Sequence, residues 1–253
     1  HDLFDAARGE AVRAALRRAD AVVVFHQAVR DKLLGACPEL ADTVRVIWQT
    51  VRCEETEFDL RGRLGLSEAH GIFFLPAGNP RVKNVRFALR PLAALQARHP
   101  ALRLVVAGPV IEAEEGARLQ AALADLPWAH YLGELEHEEV CESLDVVDVV
   151  LNTSISEGGM SNAILEAMSK GRAVLASDIE GNRTIIQDGA DGFLFGSEEE
   201  FQAKAERLLA DPTLRRRLGE AAQAKIARQF SPAREAESYD GLYRDLLVQR
   251  RIG

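Results

Sequence analysis

From residue 72 onward, short, mostly apolar runs alternate with longer stretches in which apolar positions recur every three or four residues. The runs lie at 72–75, 102–107, 146–151 and 173–176, with shorter ones at 130–132 and 193–194. An apolar run without alternation reads as a strand covered on both faces, the condition of a parallel sheet. The intervening periodic stretches predict helices at 85–98, 113–124, 136–145, 162–170 and 182–187, then 198–210, 212–229 and 232–250. His99-Pro100 and Gly171 supply stops for two of them, and Gly181 marks a turn. Strand–helix alternation with short connections predicts an α/β fold with a doubly wound, parallel, Rossmann-like sheet.

A smaller series precedes this one. Apolar positions Leu3, Ala7, Val12, Leu16 and Ala19 are spaced for a helix over 4–19. Buried strands follow at 21–25 and 44–48, with a helix over 27–36 that Pro38 ends. Residues 52–69 are charged and poor in apolar positions, as a crossing between two bodies would be. The chain starts on His1 and opens on Asp-Leu-Phe-Asp with no strand ahead of it, which reads as a start partway through a protein.

Composition narrows the classes. The 253 residues suffice for a full core, and 47% apolar with 28% charged is ordinary for a water-exposed α/β chain. A net charge of −8 argues against a nucleic-acid partner, which wants a basic face. No apolar run nears the ~18 residues of a membrane span. Three cysteines without CxxC spacing, and no basic-then-apolar leader, read as a cytoplasmic chain with reduced thiols. No Asp-x-Asp triplet and no zinc-type His/Cys cluster is present, so the expected site holds no metal.

The richest chemistry follows the run 146–151. A polar loop with two glycines opens a helix, and Glu157 and Glu166 flank that opening. Loop amides and a helix N-terminus face an anion, while carboxylates accept hydrogen bonds from hydroxyls. A phosphate joined to a sugar fits that description. The loops 76–84, 133–135 and 152–162 all follow the carboxyl ends of predicted strands, where ligands of such sheets bind. Gly159-Met160-Ser161-Asn162-Ala163 is also a loose match to a hydrolase nucleophile elbow, but all six histidines precede Ser161 and that fold needs one after it.

The segment Glu157-Gly158-Gly159-Met160-Ser161-Asn162-Ala163-Ile164-Leu165-Glu166-Ala167-Met168 resembles the donor-site signature of retaining, GT-B type glycosyltransferases of family 4 (glycosyltransferase group 1). Its SEG…MS…AILEAM wording is similar to the "glycosyltransferase 1 domain-containing" branch of that group. Seven residues usually separate the two glutamates; eight do here, with the extra one in the loop.

The resemblance implies transfer of a sugar from a nucleoside diphosphate, a UDP-sugar favoured, to an unknown acceptor with retention and without metal. Lys83 and Arg81, beside Gly78, would stabilise the diphosphate. Glu157 would contact the sugar hydroxyls and Glu166 the vicinal hydroxyls of the ribose. Gly158, Gly159, Met160, Ser161 and Asn162 would offer backbone amides, Ser161 or Asn162 serving equally as a plain N-cap. Leu135, after Gly133-Glu134, would pack on the base.

The resemblance also divides the chain into residues 1–51, the trailing part of an N-terminal acceptor domain, and 52–231, the donor domain. Residues 232–253 would form a helix returning to the first. It implies that the chain as given, needing that N-terminal domain in cis or trans, binds donor weakly and transfers poorly. A non-catalytic nucleotide-sugar binding module, one half of a two-chain transferase and a GT-B epimerase stay open alternatives.

Overall fold

The computed structural model describes residues 9–54, 56–157 and 159–252. Two compact units emerge: His1–Thr50 joined by Phe230–Gly253, and Val51–Gln229.

In the smaller unit, parallel strands β1 (Val22–Val24) and β2 (Val44–Val46) flank helix α2 (Gln27–Ala36), preceded by α1 (Gly9–Arg17). Val24, Leu33, Cys37, Leu40 and Val44 form its core, with Leu16 of α1 packed against them. The strands are shorter than the apolar runs that announce them, and residues 4–8 of the expected first helix lie outside the described residues. The last helix, α11 (Pro232–Ile252), groups with this unit. At its base the Trp48 and Phe230 rings meet edge to face at 5.4 Å, and the Thr50 hydroxyl donates to the Phe230 carbonyl at 2.6 Å.

The larger unit is built on a six-stranded sheet, all pairs parallel. In chain order its strands are β3 (Gly71–Pro76), β4 (Leu102–Ala107), β5 (Ala129–Tyr131), β6 (Val149–Asn152), β7 (Ala173–Ser177) and β8 (Phe193–Phe195). In space they run β5-β4-β3-β6-β7-β8. The chain therefore steps outward from β3 on one side and from β6 on the other. The chain leaves β3 and β6 toward opposite edges of the sheet, the switch at which such folds bind ligands beyond the carboxyl ends of the strands.

Eight helices surround this sheet among the described residues: α3 (Leu60–Leu64), α4 (Leu89–Gln96), α5 (Ala113–Leu123), α6 (His137–Ser143), α7 (Asn162–Ser169), α8 (Glu180–Arg183), α9 (Glu198–Ala210) and α10 (Pro212–Gln229). Leu92 and Leu95 of α4 and Phe201, Ala205 and Leu208 of α9 are sealed against the sheet. The Phe195 and Phe201 rings cross edge to face at 5.0 Å, and Phe87 stacks on Phe195 at 5.3 Å. Helix α7 is the most enclosed: Ile164, Leu165, Ala167 and Met168 are all fully buried. It ends at Gly171 (φ +67°), where Arg172 N–H reaches the Ala167 carbonyl and Gly171 N–H that of Met168, a Schellman closure. A Cβ on Gly219 would lie 1.9 Å from the Gly171 carbonyl oxygen, so α10 reaches α7 only because position 219 is glycine.

Several boundaries differ from the sequence reading for physical reasons. The helix expected over 85–98 starts with a 3₁₀ stretch, Val85–Ala88, after Asn84 in the left-handed region (φ 48°). In the run 146–151 the strand begins only at Val149: Val146 closes the turn after α6 on the Ser143 carbonyl (3.2 Å), and Asp148 meets Ile72 through both its N–H (3.0 Å) and its carboxylate (2.8 Å), which also pairs with Arg215 (2.9 Å). The charged crossing 52–69 contains α3, capped by Asp59 on Gly62 N–H (2.8 Å) and closed by left-handed Gly65. Helix 182–187 is replaced by α8, which begins at Glu180.

Phe201→Ala removes a fully buried ring from the three-ring cluster. It is expected to lower the unfolding free energy of the larger unit by about 3–5 kcal/mol in urea denaturation.

Candidate functional site

Strand β6 ends in polar residues that remain inside the protein: Asn152, Thr153 and Ser154 are 7%, 3% and 1% exposed. Buried polar groups must find partners, and Asn152 uses every position its amide has. Its Nδ2 donates to Glu157 Oε1 (3.2 Å) and Ser161 Oγ (3.1 Å). Its Oδ1 accepts from Ser154 N–H and from Asn182 Nδ2, each at 3.2 Å. Ser154 Oγ adds a 2.7 Å bond to Glu157, and Ser177 Oγ donates to the Ser154 carbonyl at 2.5 Å. The ends of β6 and β7, the start of α7 and helix α8 are thus tied to one amide.

The β3 loop is fastened to the same cluster. Thr153 Oγ1 donates to the Lys83 carbonyl at 2.9 Å, and Ile155 N–H to the Val82 carbonyl at 2.9 Å. The Lys83 ammonium then forks onto Glu157, 2.8 and 2.9 Å from its two oxygens. Glu157 is nearly enclosed at 9% side-chain exposure, while Lys83 keeps 29%.

Helix α8 closes the floor, since a Cβ on Gly181 would fall 2.7 Å from the Gly159 carbonyl oxygen and 2.9 Å from Glu157 Cβ. What the sequence marks as a turn is a helix start pressed onto the glycine loop.

Ser161 occupies the N-cap position of α7 in extended backbone, yet its side chain makes no capping bond. Its hydroxyl is turned toward Asn152 instead. Helix α7 therefore presents its N-terminal dipole to the crevice without the usual serine cap. Met160 is buried beside it, Asn162 begins the helix, and Gly159 backs onto α8. Gly158 lies outside the described residues.

Farther along α7, Glu166 is 6% exposed, and its Oε1 receives His137 Nε2 at 3.0 Å. His137 is the first residue of α6, just beyond the loop carrying partly buried Leu135. That loop leans on its neighbour through Gly108 N–H to the Gly133 carbonyl (2.7 Å) and Tyr131 Oη to the Gly108 carbonyl (2.8 Å). Gly78 is held in turn, since a Cβ on Gly108 would come within 2.4 Å of its nitrogen.

Arg81 does not join Lys83. The turn Arg81–Lys83 is a 3₁₀ helix, and with three residues per turn, side chains two apart point roughly 120° apart. Lys83 faces Glu157. Arg81 is exposed, its backbone N–H bonded to Glu112 Oε1 (3.2 Å), and it lines a different recess of about 230 Å³ with Asn84, Arg86, Glu115 and Arg118. Asn79 takes the clamping role in this loop: its Oδ1 accepts from Ile111 N–H (2.5 Å) and Glu112 N–H (3.1 Å), and its Nδ2 donates to the Glu112 carbonyl (2.7 Å).

The structure thus gathers Lys83, Glu157, Met160 and Ser161 at one helix start. It places Glu166 farther along that helix, bonded to His137 of α6, and Gly78 and Leu135 on adjoining loops. Asn152, Asn182 and His137 are given no role in the sequence reading, and Gly181 enters it only as a turn. Asn152 leaves a trace there, as a polar residue closing an apolar run. Among the described residues, no three His, Cys, Asp or Glu side chains are grouped to hold a metal ion, and no helix is long and apolar enough to cross a membrane.

Comparison with known proteins places the chain in a family. The model for glycosyl transferases group 1 matches residues 69–211, more than half of the chain, and the chain belongs to that family. It is 27% identical, over 94% of its length, to a glycosyltransferase 1 domain-containing protein of Xenopus tropicalis, of which it covers 71%. It is 28% identical over 93% of its length to an alpha-D-kanosaminyltransferase of Streptomyces kanamyceticus, covering 63% of that protein. The crystal structure of Anabaena HepE in complex with UDP and glucose superposes with a TM-score of 0.82 at 20% identity. That match covers 93% of this chain and 66% of the other. The fold is of the GT-B type, and the chain spans about two thirds of the length of these relatives.

Asn152→Leu strips the cluster of its hub, leaving the buried Ser154 N–H without its acceptor and taking a donor from Glu157 and Ser161 Oγ. It is expected to cost about 1–3 kcal/mol of stability, read as a lowered thermal midpoint by circular dichroism.

Proposed function

We propose that this chain carries the donor site of a retaining, metal-independent glycosyltransferase that takes a sugar from a nucleoside diphosphate, a UDP-sugar favoured. The observation that supports this most is the Lys83–Glu157 pair at the opening of α7, with Glu166 farther along that helix. An ammonium and a helix N-terminus converge there, and each favours an anion.

On this reading the diphosphate displaces Glu157 from Lys83. The ammonium then stabilises the charge that grows on the diphosphate as the glycosidic bond breaks, without a metal. Glu157, released from Lys83 but still held by Asn152 and Ser154, accepts hydrogen bonds from the sugar hydroxyls. The backbone at 159–162 lies along the phosphates, and Gly78 lets the β3 loop approach them closely. Glu166 accepts from the ribose diol, and Leu135 packs on the base. Arg81, facing another recess, is left out of this scheme. The smaller unit is assigned to the acceptor side, and the acceptor's identity is set there.

A thermal-shift panel of UDP-, GDP- and ADP-sugars tests the site. A ligand at about a hundred times its dissociation constant adds about 2.7 kcal/mol, a rise of roughly 5–10 °C for a unit of this size. Lys83→Gln, whose amide can still donate to Glu157, and Glu166→Ala should each abolish the rise. A full rise in either variant would move the nucleotide elsewhere.

A further inference from the structure

Glu166 is a carboxylate in an almost closed position with one hydrogen-bonding side chain beside it among the described residues, the His137 imidazole. The nearest ammonium on its helix, Lys170, is bound to Asp145 at 2.6 Å and is not engaged with Glu166. An ionised carboxylate only accepts, so Nε2 must carry the hydrogen in the His137–Glu166 contact. That bond occupies Oε1. Oε2 has no protein partner among the described residues, nor is it among the buried polar atoms left unsatisfied, so it reaches the surface. One oxygen is anchored and the other faces outward.

His137 is well placed to hold that arrangement. It sits at the first turn of α6, whose start is fastened by Glu139 accepting Glu136 N–H at 2.9 Å. Its Nε2 also lies 3.7 Å from the Cys141 sulfur, one turn along. Burial pushes the Cys141 thiol up from its ordinary value, so that neighbour stays neutral and does not compete with Glu166 for the imidazole. Without His137, the carboxylate would lose its anchor and the partner that offsets its burial.

Resting on the nucleotide-site reading above, the geometry points to His137 as a positioning residue. It holds Oε1 of Glu166 so that Oε2 meets the ribose hydroxyls of the bound nucleoside diphosphate.

The experiment compares UDP with 2′-deoxy-UDP by titration calorimetry on the full chain and on His137→Ala and His137→Gln. The unsubstituted chain is expected to prefer UDP about tenfold, the scale of one hydrogen bond to a charged group. His137→Ala should bring the two ligands within about twofold by weakening UDP alone. His137→Gln, whose amide can donate in the same direction, should restore most of the preference. An unchanged preference in His137→Ala, or equal weakening of both ligands, would overturn the role of His137 and leave the site standing. Binding of UDP without any preference for ribose in the unsubstituted chain would overturn the pairing of Glu166 with the diol. No binding of UDP at all would overturn the site reading along with it.

Discussion

A single side-chain amide holds the crevice together. Asn152 stands where β6 leaves the sheet, and its two donors and two acceptor positions are spent on Glu157, Ser161, Ser154 and Asn182. Three of those partners are spread along the loop from β6 to α7 and the fourth lies on α8, so the amide fixes the path of that loop and its distance to a second helix. An aspartate of the same shape would lack the two donors and would place a second carboxylate against Glu157. The cluster is therefore exacting about the residue at 152, although that residue touches no ligand in the proposed scheme.

Around that hub, the charges are arranged to be exchanged. Lys83 and Glu157 satisfy each other across the switch point of the sheet, and the start of α7 faces the same space without a serine side-chain cap. In the proposed scheme, an entering diphosphate offers Lys83 a more highly charged partner and gives the helix dipole an anion. Glu157 does not become an orphan when it is released, because Asn152 and Ser154 keep one of its oxygens. The ion pair is thus a holding arrangement for two groups that the proposed reaction uses separately.

The larger sheet was legible in the apolar runs because both of its faces are covered, which removes the alternation that would otherwise mark strands. The helix opening at 162 and the glutamates flanking that opening could be read for the same local reason: a strand, a glycine loop and an amphipathic stretch in direct succession. What could not be read depends on contacts between distant segments. The direction of Arg81 follows from the tight winding of a three-residue turn, which linear spacing does not reveal. Helix α8 is set by Gly181 pressing on Gly159, and His137 meets Glu166 across 29 positions. Neither leaves a local pattern of apolar residues.

The most direct measurement is a crystal structure of the chain soaked with UDP. The account predicts the diphosphate between the Lys83 ammonium and the first turn of α7, with Glu157 parted from Lys83 yet still bonded to Asn152. UDP bound elsewhere on the molecule, or seated here with the Lys83–Glu157 pair intact, would contradict it.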